Sequence, residues 1–292
     1  MNNPTIAVVG ATGSQGGSVV RYLKQKGPFK VRALLREGSS YDGPADEAVV
    51  GNLDDVHSMT GALEGAYGVF VVTNFWQEGT NEIAQAENAI EAARTAGVSH
   101  FVWSSLPNVE AISSGKWTVP HFTDKAKADA IVATAGFPKF TITQPAFYFE
   151  NFVRDMAPTD LDGGAKGWVI PIDPDARVIH MATISEYGRL VAAAFSHPEA
   201  ANGQTLSMAA GLYSFNDIAA AFSEGGEKHS VTQAPLETYE NFYPGADEIG
   251  QMLSYFQDHT YMGPGAQPRI DAANDLVGGP FTTFADWLAQ NR

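Results

Sequence analysis

The chain has no cysteine. That removes disulfides, thiolate nucleophiles and cysteine-ligated metal sites together, and no metal site is expected. It is also poor in positive charge: 18 lysines and arginines stand against 33 aspartates and glutamates, a formal net charge of -15. The basic residues nowhere cluster, so the footprint that displaces counterions from a nucleic-acid backbone is missing and direct nucleic-acid binding is not expected. No apolar run approaches the roughly 18 residues that a membrane span needs. The opening Met1-Asn-Asn-Pro-Thr5 lacks the positive segment of a secretory leader. The expected location is cytoplasmic, without membrane association and with entry to the nucleus left open.

What is abundant is apolar character, 44% of 292 residues with 17% charged, the composition of an ordinary globular protein. Short β-branched runs alternate with helical stretches through the first half, which predicts βαβ units and a parallel sheet. Strands are expected over 6–9, 31–35, 48–50, 69–73, 101–103 and 141–143, and helices over 16–26, 56–64, 82–96 and 125–135. In helix 82–96 the apolar stripe is Ile83, Ala86, Ile90 and Ala93, with Glu82 placed off it and Gly97 as the stop. After Asn151 the alternation lapses into glycine- and proline-rich stretches. Helices are still expected over 185–195, 215–222, 246–255 and 284–289. The expected fold class is therefore α/β: a Rossmann-type parallel sheet flanked by helices over residues 1–150, to which later segments are free to return, and a smaller irregular α/β lobe over 151–292.

The densest signal is the strand Ile6-Ala-Val-Val9 running into Gly10-Ala11-Thr12-Gly13-Ser14-Gln15-Gly16 and a helix carrying Val19, Val20 and Leu23. Such a loop uses glycine for the sharp turn, for close approach of backbone to a pyrophosphate, and for packing of helix on strand. Amides at the helix start then gather an anion, so residues 10–16 are assigned to a dinucleotide. Arg36 closes the second strand where an acid would bond the ribose hydroxyls of NAD. A guanidinium there pairs with the extra phosphate of NADP, so NADP(H) is expected over NAD(H). Arg32 is read as a surface charge.

Asn52 is placed to reach adenine, while Asp54 or Asp55 caps the next helix. Thr73, Asn74 and Phe75 stand at the carboxyl edge of the sheet, where ligands of open α/β folds bind. Trp76 is expected to pack between the lobes. Ser104 at a strand end and Lys125 on the following helix are candidates to hold ribose hydroxyls, and a desolvated lysine also moves a proton. His121 reads either as a second proton-transfer group or as an ordinary hydrogen-bonded histidine at a helix start.

Several stretches resemble the NmrA-like branch of the atypical short-chain dehydrogenases, whose members include HSCARG-type NADPH sensors. They are Gly10-Ala-Thr-Gly-Ser-Gln-Gly-Gly17, Lys30-Val-Arg-Ala-Leu-Leu-Arg36, Val72-Thr-Asn-Phe-Trp76, His121-Phe-Thr-Asp-Lys125, Tyr148-Phe-Glu-Asn151, Phe242-Tyr-Pro-Gly-Ala246 and Phe284-Ala-Asp-Trp-Leu288. The resemblance implies an NADP(H) site built from Gly10 to Gln15, Arg36, Asn52 with Leu53, Thr73 to Phe75, Lys125, and Tyr148, Phe149, Glu150 and Asn151 beside the nicotinamide. Two departures stand out. The family usually has aspartate where Asn52 stands, and a basic residue shortly after Arg36 where this chain has Ser39, Ser40 and Tyr41.

In short-chain dehydrogenases the lysine follows a catalytic tyrosine by four residues, and here that position is His121. The resemblance thus implies a redox sensor or regulator, or a weak NADPH-dependent reductase, in which coenzyme remodels loops 76–82 and 106–120. The alternative is an active oxidoreductase on a quinone or enone-like molecule, with Lys125 as proton donor and Phe147, Tyr148 and Phe152 as an aromatic wall. The expected partners are the dinucleotide and either a small aromatic substrate or a regulatory protein, and a homodimer is allowed.

Overall fold

The computed structural model describes residues 3–161 and 163–291. Up to Gln144 the chain alternates strand and helix. The elements are β1 (Thr5–Val9), α1 (Ser14–Lys26), β2 (Lys30–Leu35), β3 (Glu47–Val50), α2 (Val56–Leu63), β4 (Gly68–Val71), α3 (Glu82–Thr95), β5 (His100–Ser104), a single turn α4 (Val109–Ile112), α5 (Pro120–Thr134) and β6 (Lys139–Gln144). Then come β7 (Phe147–Tyr148), a 3-10 turn over Phe149–Val153, β8 (Thr159–Asp160), β9 (Lys166–Ile170), β10 (Ile179–Ala182), α6 (Tyr187–Ser196), α7 (Pro198–Ala201), β11 (Thr205–Ser207) and β12 (Gly211–Tyr213). The chain closes with α8 (Phe215–Ser223), β13 (His229–Gln233), α9 (Leu236–Tyr239), α10 (Ala246–His259), α11 (Gln267–Val277) and α12 (Phe284–Asn291).

Seven strands form one parallel sheet in the order β11-β6-β5-β4-β1-β2-β3. Strand order reverses between β1 and β4, so the loops leaving these two strands open the crevice where α/β sheets take ligands. Alternation of side chains along the strands divides the core in two. Ile6, Val8, Val31 and Phe70 face Val19, Val20 and Leu23 of α1 and Leu190 and Val191 of α6. Ala7, Val9, Val69, Phe101 and Trp103 face Met59, Leu63, Ala89, Ile90 and Val132 of α2, α3 and α5.

The seventh strand, β11, and helix α6 come from beyond residue 186, so the chain returns to the sheet after leaving it. A Cβ on Gly188 would lie 2.1 Å from the Ser18 carbonyl oxygen. Ser18 Oγ donates to the Ser185 carbonyl at 2.6 Å and accepts from the Gly188 amide at 2.9 Å. This close crossing fixes α1, and with it the glycine turn. The remaining strands form two small sheets, β12-β10-β7 and β13-β9-β8, over an aromatic core in which Phe149, Phe152, Phe284 and Trp287 meet.

Two boundaries and one buried residue that bear on the site differ from expectation. Strand β4 ends at Val71, not Thr73, because Thr73 turns its carbonyl and hydroxyl to Lys125. Helix α5 starts at Pro120, whose missing N–H costs nothing in a first helical turn, so His121 and Lys125 share one helix. Glu82, expected off the apolar stripe of α3, is buried. Gly97 does stop α3 in the left-handed region, at φ 74°.

Candidate functional site

The chain leaves β1 through Gly10, whose φ of 68° is open to glycine at little cost. The Gly13 amide donates to the Gly10 carbonyl at 2.8 Å. A Cβ on Gly16 would fall 2.2 Å from that same oxygen, so a side chain there would push the helix off the turn. Gly13 is the N-cap of α1; no side chain caps it, and the first turn holds no acid. The amides of a helix start are therefore presented to the crevice with no competing carboxylate.

Gln15 ties this turn to the rest of the crevice. Its Nε2 donates to the Tyr148 hydroxyl at 2.8 Å, and its Oε1 accepts from Ser104 Oγ at 2.8 Å. Tyr187 donates to Ser104 Oγ at 3.0 Å and lies 2.6 Å from Thr143 Oγ1. Burial pushes the Tyr148 and Tyr187 phenols above their usual range, so both act as neutral hydrogen-bonding groups near neutral pH. The expected Gln15, Ser104 and Tyr148 thus converge, and Tyr187 joins them without any local sequence signal.

At the end of β2, Arg36 is exposed and its Nη1 donates to Gln77 Oε1 at 2.5 Å. Arg32 is not a free surface charge: it pairs with Glu47 at 2.7 Å and donates to the Ala62 and Glu64 carbonyls at 2.8 Å, closing the end of α2. Asn52 spends its side-chain oxygen on the Asp54 amide at 3.0 Å. Asp55 caps α2, Asp54 accepts from Gln85 at 2.9 Å, and the Leu53 carbonyl accepts from Asn88 at 2.8 Å.

Lys125 is buried and fully engaged. Its ammonium donates to the Thr73 carbonyl at 3.0 Å, to Thr73 Oγ1 at 2.9 Å and to the Glu82 carboxylate. Thr73 Oγ1 in turn donates to Glu82 at 2.6 Å. An ammonium has three hydrogens, and all three have acceptors here. Burial lowers the Lys125 pKa, and the Glu82 carboxylate works against that shift. The Trp103 indole holds the Lys125 carbonyl at 3.1 Å, locking α5 to β5.

Glu82 carries a signal that sequence reasoning misassigned: positions 82, 86, 89 and 93 share one helical face, and the acid sits on it. His121 Nδ1 donates to Glu248 of α10, and its ring lies 5.1 Å from that of Trp76 and 5.7 Å from that of Phe75. It behaves as the hydrogen-bonded histidine of a helix start, joining α5 to the C-terminal helices. Trp76 does not fill an interface but is 65% exposed, and Asn74 accepts from the Trp76 amide at 3.3 Å.

Of the 148–151 segment, Tyr148 faces the glycine turn, whereas Phe149 is wholly buried in the aromatic core and has only backbone to offer a ligand. Glu150 accepts from Thr183 at 2.6 Å and from the Ile184 amide at 3.1 Å, bracing the entry to α6. The Asn151 carbonyl closes the 3-10 turn. Among the described residues no helix is long and apolar enough to cross a membrane.

With this geometry in place, the chain matches the NmrA-like family over residues 2–288: it belongs to that family. The NmrA-like family domain-containing oxidoreductase FrzB of Cladobotryum sp is 30% identical over 86% of this chain and 83% of its own. Among solved structures, NmrA, described as a negative transcriptional regulator and solved in complex with NADP, superposes with a TM-score of 0.81 at 23% identity, covering 98% of this chain and 94% of that one. The same NmrA has also been solved in complex with NAD. The NADPH-dependent quinone oxidoreductase QOR2 of Escherichia coli, complexed with NADPH, gives a TM-score of 0.78 at 20% identity, covering 98% and 99%. At these identities the solved structures carry the architecture alone.

Proposed function

We propose that this protein binds NADP(H), in preference to NAD(H), and acts as a coenzyme-responsive regulator or weak reductase. The observation that carries the reading is the uncapped, acid-free start of α1 at a turn where Gly16 leaves no room for a side chain, with an exposed arginine closing the neighbouring strand. Amides of α1 would face the pyrophosphate, Arg36 the additional phosphate, and the Thr73–Phe75 and Tyr148–Asn151 segments the nicotinamide end. The family's solved member bound to NADP and to NAD supports a dinucleotide in this crevice. When bound, the coenzyme would supply a hydride.

The chain's own residues favour binding over rapid turnover. Position 121 holds a histidine bonded to Glu248, and Lys125 has no hydrogen left to give while Thr73 and Glu82 hold it. Calorimetric titration with NADPH and NADH tests the binding. Arg36→Ala is expected to weaken NADPH by about ten- to a hundredfold and to leave NADH nearly unchanged, since a charge-assisted phosphate contact is lost. An unaltered preference would refute the assignment.

A second reading, an active oxidoreductase on a planar quinone or enone-like molecule, is favoured by relatives such as FrzB that carry the name oxidoreductase. Phe147 and Phe152, expected in its aromatic wall, are buried in the core, so Tyr148 and the half-buried Phe75 would form that wall, and Lys125 would have to leave Glu82 to donate a proton. NADPH oxidation across a quinone panel distinguishes the two: turnover at ordinary enzymatic rates, on the order of 1 per second or faster, supports the second.

A further inference from the structure

Gln77 lies forty-one positions from Arg36, in the loop joining β4 to α3, yet it supplies the acceptor for Arg36 Nη1 at 2.5 Å. Two backbone bonds shape this loop: the Gln77 amide donates to the Asn74 carbonyl at 3.2 Å, and the Thr80 amide donates to the Gln77 carbonyl at 3.1 Å. The Gln77 backbone is thereby fixed between two turns while its side chain reaches across to the end of β2. Its neighbour Trp76 rests against His121, which anchors the same loop from the other side.

Among the described residues no carboxylate lies within ion-pair distance of Arg36, although Lys24 of α1 and Lys30 and Arg32 of β2 all have one. A guanidinium has five N–H groups. A neutral amide oxygen occupies one, orients the fork, and leaves the charge uncompensated. A long cationic side chain held in advance loses less rotamer freedom when it meets an anion. A carboxylate at the same place would instead satisfy the charge and compete with any incoming phosphate.

We infer that Gln77 is a positioning residue that determines coenzyme specificity, holding Arg36 poised for the phosphate that distinguishes NADP(H) from NAD(H). This rests on the proposed role of Arg36. It adds that the preference is set from the β4–α3 loop as well as from the strand end, so that the loop carrying Phe75 and Trp76 is physically joined to the adenosine end of the crevice.

The test is a matrix of dissociation constants for NADPH and NADH, measured by calorimetry on the full chain, with Arg36→Ala, Gln77→Ala and Gln77→Glu beside the parent. Gln77→Glu is expected to weaken NADPH by about tenfold or more, through a competing ion pair, while NADH stays within about twofold. That penalty should shrink as salt is raised, because the competing charges are exposed. Gln77→Ala is expected to lose several-fold for NADPH alone.

If Arg36→Ala abolishes discrimination while both Gln77 variants keep the parental NADPH to NADH ratio, the role of Gln77 is refuted and that of Arg36 stands. If Arg36→Ala itself keeps the ratio, both fall. Equal losses for the two coenzymes in the Gln77 variants would mark a merely structural loop contact and overturn the inference.

Discussion

The buried pair Glu82–Lys125 lends itself to a double-mutant cycle. The side chains are 1% and 10% exposed, and the second carboxylate oxygen of Glu82 is buried without a hydrogen-bond partner. Removing one partner of such a pair strands a charge and costs about 3–5 kcal/mol, whereas replacing both with apolar groups of similar volume is often neutral. Glu82→Leu alone should therefore lower the melting temperature by roughly 6–10 °C, taking about 2 °C per kcal/mol for a chain of this size. Lys125→Met alone should also destabilise, because it leaves the buried Glu82 carboxylate without its counter-charge. The double variant should recover most of the loss.

The pH dependence has a definite sign. Burial already holds the folded Lys125 pKa below its unfolded value, so the unfolded chain binds more protons between the two, and stability rises with pH across that window. Losing Glu82 lowers the folded pKa further, so the deficit of Glu82→Leu should shrink as pH rises toward the folded pKa of Lys125 in the parent. Thermal unfolding at several pH values measures both. Additive losses in the double variant, or a deficit flat with pH, would refute the coupling.

Two further outcomes follow from the geometry. Gly16→Ala should abolish dinucleotide binding and destabilise the fold, because its Cβ would sit 2.2 Å from the Gly10 oxygen; Gly13→Ala, at 3.3 Å, should fold and lose affinity alone, as titration and melting of the two variants will show. Burial pushes the Asp129 carboxyl up to about 7, with Ser105 and Trp103 partly opposing it. That contribution to stability is present below the unfolded pKa and is lost as pH rises through about 7, so Asp129→Asn should gain on the parent between about pH 5 and pH 8 in thermal unfolding.

The parallel sheet and its ligand crevice were legible because local signals were redundant there. The glycine triplet, the apolar strand before it and the stripe of Val19, Val20 and Leu23 after it each point to the same turn. The late return to the sheet carries no such redundancy: β11 has three residues, and α6 is joined to α1 through Ser18 and Gly188, pairs 167 and 170 residues apart. The individual roles of polar residues were hidden for the same reason. Arg32 reads as solvated until the end of α2 arrives above it, and Gln77 and Glu82 become functional candidates only when the loop after β4 folds back over the strand ends.

These long-range contacts converge on one segment. Thr73 is gripped by Lys125 and Glu82, Phe75 and Trp76 lean on His121, and Gln77 holds Arg36, so residues 73–77 touch both ends of the proposed coenzyme path within five positions. A lysine in the interior of that arrangement acts first as a strut: two of its donors secure Thr73 just beyond β4, the third goes to Glu82, and that compensating carboxylate is almost wholly buried. Proton donation by Lys125 would release Thr73 and disturb the loop that carries Gln77. Any catalysis through Lys125 must therefore be accompanied by movement of residues 73–77, which makes Trp76 an internal reporter: its fluorescence should change during turnover if the lysine is the donor, and remain that of the static complex if it is not.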